Sequence, residues 1–315
     1  MVCYRTKLGE AHCGDSLQLI KSEIEDNTVD LVLTSPPFAL LQPKEYGNEN
    51  QENYMDWFCE FGRLIMPKLK DTGSFVVDIG ASFNKGEPTY NLYQFRTLLK
   101  LCDEVGYKLA QPFYFHNTSA LPSPIEYVSK KKIRCKNSVN TVWWLSKTAY
   151  PKADVRNILN PYSKSMKKII KKPSILYSKK AVKENRTKVS MKKTWSKNNG
   201  GSIPSNALLF SNAESNSAYL RKCRQLNIKK HPARFPRALP DFFIKFLTDE
   251  NDLVVDIFSG SNTTGYEAEK LKRRWKSFEL NREYVASSVL RFVEKPEDAE
   301  WVYNRVMEGE IVNFI

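Results

Sequence analysis

The sequence is short of the features that would direct it to a membrane, a metal or a phosphate loop. No apolar run approaches the ~20 residues that cross a bilayer. The stretch MVCYRTKLGEAHCGD at the amino end carries no apolar segment of a secretion signal, so a cytoplasmic setting is expected. The six cysteines, at 3, 13, 59, 102, 135 and 223, include no C-x-x-C pair. That spacing indicates neither a zinc ribbon nor a disulfide framework and leaves reduced, mostly buried thiols. Histidine occurs only at 12, 116 and 231, and such isolated positions call for structural or surface roles rather than a metal ion. G-x-G-x-x-G and G-K-[ST] are both absent, which weakens the dinucleotide and P-loop readings.

Charge is abundant but unevenly placed. The chain of 315 residues carries a net +14. Residues 151–200 hold 13 Lys and 2 Arg against Asp154 and Glu184, a local +13 that leaves about +1 for everything else. A concentration of this kind is the footprint of a polyanion, with nucleic acid foremost. Tyr150, Tyr162, Tyr177 and Trp195 lie among the lysines and suit base and phosphate contacts, although a solvated lysine-rich excursion is the plainer alternative. Elsewhere, 41% hydrophobic and 12% aromatic residues fit a folded protein, either one elaborated domain or one domain with a large insertion.

Hydrophobic periodicity predicts alternating strands and helices. Val29–Leu33 reads as a buried strand, and Tyr54, Trp57, Phe58, Phe61, Leu64 and Ile65 fall on one helical face. A strand over 72–80, a helix carrying Leu92, Phe95, Leu98, Leu99, Cys102 and Val105 up to a Gly106 cap, and a strand over 140–147 follow. From about 150 to 228 no sustained period survives. A helix over 239–247, a strand over 252–260, a helix in TTGYEAEKLKRR and a strand over 275–280 complete the series. Strands separated by helices of this length imply an α/β fold, a mainly parallel sheet with helices on both faces, interrupted by a basic insertion.

Two short stretches carry chemistry. TSPPF, at 34–38, ends the Val29–Leu33 strand with a peptide that offers carbonyl acceptors and few N–H donors, because proline has none. Ser35 adds a hydroxyl and Phe38 a flat stacking face; such a surface requires a donor from its ligand. VVDIFSGSNTTG, at 254–265, sets a glycine-containing loop between a strand and a helix, where ligands of open α/β sheets bind. Gly260 frees the turn, Ser261 and Thr263 supply hydroxyls, Asp256 places a carboxylate beside a cofactor, and Glu279 at the next strand end suits ribose hydroxyls. Carboxylate, glycine loop and second acidic strand end together favour a nucleoside cofactor over an ordinary tight turn.

TSPPF and VVDIFSGSNTT together resemble the paired signature of S-adenosylmethionine-dependent amino-methyltransferases acting on DNA. GDSLQLI (14–20) is similar to that family's first motif, and HPARFP (231–236) to the segment leading into its cofactor loop. The order, with the catalytic peptide first, a basic insertion next and the cofactor loop last, resembles the circularly permuted β group. YGNE, GSFVVD, LPSPIE, NTVWW and NGGSIP extend the resemblance over nearly the whole chain. It implies a Rossmann-like methyltransferase fold divided into a catalytic half (1–149), a DNA target-recognition region (150–228) and a cofactor half (229–315). S-adenosylmethionine is the implied methyl donor and double-stranded DNA the partner, with no metal. Ser35, Pro36, Pro37 and Phe38 are the implied catalytic residues, Asp15 lies near the adenine of the donor, and Asp256, Phe258, Gly260, Ser261, Thr263 and Glu279 bind it.

Within that resemblance an exocyclic amino group is the donor the TSPPF surface requires. Its base has to leave the duplex to reach it. Serine at position 35 favours cytosine N4; Asp-Pro-Pro-Tyr usually accompanies adenine N6, which stays as the alternative together with a non-catalytic DNA-binding regulator of the same fold. No cysteine follows a proline, which disfavours cytosine C5. The member of the group that these strings resemble implies the palindrome CAGCTG with the inner cytosine as target. It also implies a protective role in a restriction-modification system whose endonuclease acts on the same site without obligatory contact, and a monomer. Asp78 is the candidate to take the departing proton, with a capping carboxylate as its alternative. The polar stretch 41–53 reads as a loop closing over DNA or as an inert connection.

Overall fold

A computed structural model describes residues 1–40, 49–171, 197–212, 217–234 and 236–314. Most of the 41–53 loop, and Tyr177 and Trp195 of the basic region, fall outside these residues. The chain divides into two compact units, one made of 1–153 with 206–315 and the other of 154–205.

The larger unit is built on one ten-stranded sheet. Its strands are β1 (Val2–Arg5), β2 (Gly9–Cys13), β3 (Val29–Thr34), β4 (Leu69–Ile79), β5 (Lys108–Asn117), β6 (Val139–Ser146), β7 (Ala207–Phe210), β8 (Leu253–Asp256), β9 (Arg274–Glu279) and β10 (Val312–Asn313). Their spatial order is β10-β1-β2-β9-β8-β3-β4-β6-β5-β7. The central strands β2, β9, β8, β3 and β4 run parallel, whereas β6 is antiparallel to both β4 and β5. The expected mainly parallel α/β sheet is what forms.

Strand β3 shows why this sequence takes this place. All six residues of VDLVLT are buried, as a strand covered on both faces requires. Alternate side chains enter opposite cores: Leu31 and Leu33 join Val76 and Val254 on one face, while Val32 joins Phe75, Val77 and Val255 on the other. The second core is closed by α1 (Ser16–Glu23) and α2 (Tyr54–Lys68). Tyr54, Phe58, Phe61 and Ile65 of α2 are buried on the predicted face, each contributing roughly 1.5–3 kcal/mol relative to exposure. On the first face lie α5 (Ala218–Gln225), α6 (Ala238–Leu247), α8 (Arg282–Ser288) and α9 (Ala299–Glu308).

Three expectations shift. The helix ending at Gly106 is α3 (Tyr93–Lys100) followed by one wider turn, and Gly106 takes the expected left-handed cap at φ 99°. It nevertheless turns Leu92, Phe95 and Leu99 outward and buries Tyr93, Gln94 and Thr97. The strand expected over 252–260 stops at Asp256, because Ile257–Gly260 turn away into the loop. The region expected over 150–228 is also divided differently: β7 and α5 belong to the larger unit. The 154–205 unit holds α4 (Lys164–Lys171), which buries none of its residues, and a bridge between Asn160 and Ser202.

Candidate active site

The carboxyl ends of the parallel strands bring the two chemical stretches together. Register pairs Leu33 with Val76 and Thr34 with Val77, so Ser35 emerges next to Asp78 at the end of β4. The Ser35 hydroxyl lies 3.3 Å from Asp78 Oδ2 and 3.2 Å from the Asp78 carbonyl oxygen. From β6, Asn140 donates its amide to Asp78 Oδ1 at 3.0 Å. Asp78 is buried, and that burial pushes its pKa up to about 6 against the opposing hydrogen bonds from Asn140 and Ser35. Phe38 packs against the backbone at Gly80, where a Cβ would sit 2.4 Å from the ring.

The loop after β8 is held by buried polar contacts. Asp256 accepts from Thr34 Oγ1 at 2.7 Å, Thr264 Oγ1 at 2.7 Å and the Phe258 amide at 3.1 Å. These contacts tie the end of β3, the loop and α7 (Thr263–Lys270) into one piece, and burial raises the Asp256 pKa to about 6. Gly260 adopts φ 50°, in the left-handed region, and donates its amide to Glu279 Oε2 at 2.9 Å. Glu279 Oε1 accepts the Asn281 amide at 2.9 Å, and burial raises its pKa from the ordinary carboxylate value. The Arg291 guanidinium reaches the Ser261 and Thr263 hydroxyls, each at 3.0 Å, while covering the Tyr219 ring at 4.5 Å.

Both stretches open onto one cavity of about 700 Å³. Ser35, Pro36, Pro37, Phe38, Asp78, Asp15, Phe258, Gly260, Ser261, Thr263 and Glu279 all line it. Asp256 alone among the expected site residues does not; its carboxylate accepts the three internal hydrogen bonds that hold the loop. Asp15 caps α1 through the Leu17 amide at 2.8 Å and remains exposed at the rim.

Several groups in or beside the cavity lining were illegible as site residues. Trp57 and Phe61, expected only as helix-face apolars, stand 5.7 Å and 4.9 Å from Phe258 and complete an aromatic wall. Asn140 and Arg291 lack any sequence signal, because their partners lie 62 and 28–30 residues away. His231 also lines the cavity. Burial lowers its pKa to about 4, so the ring is neutral at pH 7, and it packs against Tyr284 and over Gly260.

His12, expected to be isolated, is not. The fold sets it between Glu10 and Glu23, away from the cavity lining. The Lys276 ammonium stands 2.9 Å from Glu10 and Arg5 3.2 Å from it, so cations of the chain already face that carboxylate.

A family model described as DNA methylase matches residues 29–290. The curated Type II methyltransferase M.PvuII of Proteus hauseri is 51% identical over 98% of this chain and 91% of its own length. M.BglII of Bacillus subtilis, also a Type II methyltransferase, is 25% identical over 88% of this chain and 67% of its own. Among solved structures, the PvuII DNA methyltransferase (cytosine-N4-specific) superposes with a TM-score of 0.80 at 45% identity, covering 99% of this chain and 97% of that one. The M1.HpyAVI–SAM complex shares the fold at a TM-score of 0.53 and 17% identity, over 90% of this chain and 99% of its own. With a family model matching more than half its length and a curated relative 51% identical over nearly all of it, the chain belongs to the N6/N4 DNA methylase family.

Proposed function

We propose that this protein transfers a methyl group from S-adenosylmethionine to the exocyclic N4 of cytosine in duplex DNA. The observation that carries the reading is the single cavity that joins the Ser35–Asp78 pair to the loop at Gly260. The cavity suits both ligands chemically. Gly260 lets the backbone approach closely, Phe258 with Trp57 and Phe61 offers apolar faces, and the carboxylates of Glu279 and Asp15 accept from hydroxyl and amino donors.

S-adenosylmethionine supplies an electrophilic methyl carbon on a positively charged sulfur. The chain's own residues present and deprotonate the target. Carbonyl and hydroxyl oxygens around Ser35 and Pro36 accept from the NH2 of a flipped base, fixing its lone pair for attack, a gain that is mostly positional. Flipping costs roughly a few kcal/mol, offset by stacking on Phe38 and by contacts to the base edge. As the new C–N bond forms and the C–S bond breaks, the nitrogen sheds a proton. Asp78, ionised above pH 6, receives it through the Ser35 hydroxyl and passes it to solvent.

The relative whose solved structure is described as cytosine-N4-specific supports N4 of cytosine; CAGCTG with its inner cytosine as the site rests on the sequence resemblance alone. The 154–205 unit, with its exposed lysine helix, is the target-recognition element. The protein works as a monomer in the cytoplasm, protecting DNA from an endonuclease of the same specificity. No helix among the described residues is long and apolar enough to cross a membrane. Incubation of a CAGCTG duplex with radiolabelled donor, followed by nucleoside analysis, tests the reading: N4-methylcytosine is expected, and N6-methyladenine or no transfer overturns it.

A further inference from the structure

The charge outside residues 151–200 nearly cancels in total, yet one short cationic run lies in an excursion whose neck lines the cavity. Residues 118–138, the excursion between β5 and β6, carry Lys130, Lys131, Lys132, Arg134 and Lys136 against a single carboxylate, Glu126. Every residue from Ser129 to Lys136 is exposed. Glu126 is shared by Lys130 and Lys131, at 3.2 Å and 3.5 Å. Arg134 donates to the Pro88 and Ile133 carbonyls at 2.9 Å and 2.7 Å, and Lys136 to the Ala120 carbonyl at 2.9 Å. Neutral acceptors fix these two cations in place without cancelling their charge. Among the described residues no carboxylate stands within ion-pair distance of Lys132, Arg134 or Lys136.

The excursion is anchored and frames the cavity. Asn117 and Ser138 close its neck by a 2.8 Å backbone hydrogen bond, and Asn137 donates to the Ser123 carbonyl at 2.9 Å. Tyr127 packs 5.9 Å from Phe83, which together with Arg134 on Pro88 pins it to the segment after β4. Asn117 and Ala120 at its start, and Asn137 and Ser138 at its end, line the cavity itself. A flipped nucleotide stays joined to two backbone phosphates, so an entrance to a base pocket benefits from fixed cations beside it.

We infer that the 118–138 excursion is a second DNA-docking element, in which Lys132, Arg134 and Lys136 bind the phosphates that flank the extruded nucleotide. This rests on the reading of the protein as a duplex-DNA methyltransferase and adds to it a contact surface in the same unit as the cavity. Phosphate contacts fix register and carry no sequence information. Their loss therefore weakens cognate and non-cognate duplexes alike.

The test is the salt dependence of duplex binding by the full-length protein, read by fluorescence anisotropy with a CAGCTG duplex and a scrambled one. Each lost phosphate contact lowers the slope of log affinity against log salt by roughly 0.9. The triple variant K132Q/R134Q/K136Q should thus lower it by about 2 to 3 for both duplexes. Lys132→Gln alone leaves the Arg134 and Lys136 hydrogen bonds intact and should lower it by about 1. S-adenosylmethionine affinity stays unchanged and reports that the variants are folded. Slopes equal to wild type in both variants would overturn the inference. Loss of methyl transfer by the wild-type protein would strike the underlying reading and leaves a distinct signature.

Discussion

Replacing Asp78 by asparagine separates its role as a base from its role as a hydrogen-bond acceptor. The side chain keeps its shape and one acceptor oxygen for Asn140, but the atom facing the Ser35 hydroxyl can no longer take a proton. Positioned general bases contribute on the order of 10²- to 10⁴-fold, so the single-turnover methylation rate should fall by at least about 100-fold. The wild-type rate should follow the ionised fraction of Asp78. With a pKa raised to about 6, the rate rises through pH 6 and levels above it. At pH 5 it drops roughly tenfold, since one pH unit corresponds to about 1.4 kcal/mol. The variant loses this acid limb. Stability moves the other way. The folded carboxyl holds its proton more tightly than the unfolded one at 3.8, so its contribution is fully present below pH 3.8 and is lost as pH rises through 6. At pH 7 the buried charge costs roughly 3 kcal/mol by the same conversion. Asp78→Asn should therefore unfold at a higher temperature at pH 7 while turning over far more slowly. Quench-flow under single-turnover conditions and thermal unfolding across pH 5 to 8 read both effects. An unchanged rate with the acid limb intact would remove Asp78 from the mechanism and return it to a capping carboxylate.

Asp256→Ala strands two threonine hydroxyls and the Phe258 amide inside the protein, at about 1–3 kcal/mol for each unsatisfied group. The melting temperature should fall and S-adenosylmethionine affinity with it, and cofactor affinity equal to wild type by calorimetry would contradict a loop-positioning role. Gly260→Ala forces a side chain into φ 50° with its Cβ 3.1 Å from the His231 ring. Strain on the order of 1–3 kcal/mol should weaken donor binding about tenfold or more, with duplex binding in the absence of donor retained; a donor affinity that does not change would refute the account of that turn.

What the sequence revealed depended on how local each signal was. TSPPF and VVDIFSGSNTTG each declare themselves within a dozen residues, and the apolar runs of β3 and β4 mark buried strands without knowledge of their neighbours. Long-range pairing was out of reach. Asn140 is one of many asparagines until β6 lies against β4, and Arg291 is an ordinary surface cation until its helix turn meets the loop after β8. The end of β8 was misplaced because Ile257 and Phe258 continue the apolar run into a segment that has left the sheet. Leu92, Phe95 and Leu99 kept helical spacing while facing outward, since spacing fixes a shared face and says nothing of which way that face turns. Charge was read too coarsely: the sum over residues outside 151–200 hides the cationic run at 130–136, which is contiguous in the sequence but shows its place near the cavity only once the chain is folded.

The most direct measurement is a crystal structure of the protein with a CAGCTG duplex and the demethylated donor, S-adenosylhomocysteine. The account predicts a cytosine turned out of the helix, its N4 within hydrogen-bond distance of the Ser35–Pro36 peptide, and the donor's sulfur facing it from beside Gly260. A cofactor bound away from Gly260, or an adenine in place of the cytosine, would contradict it.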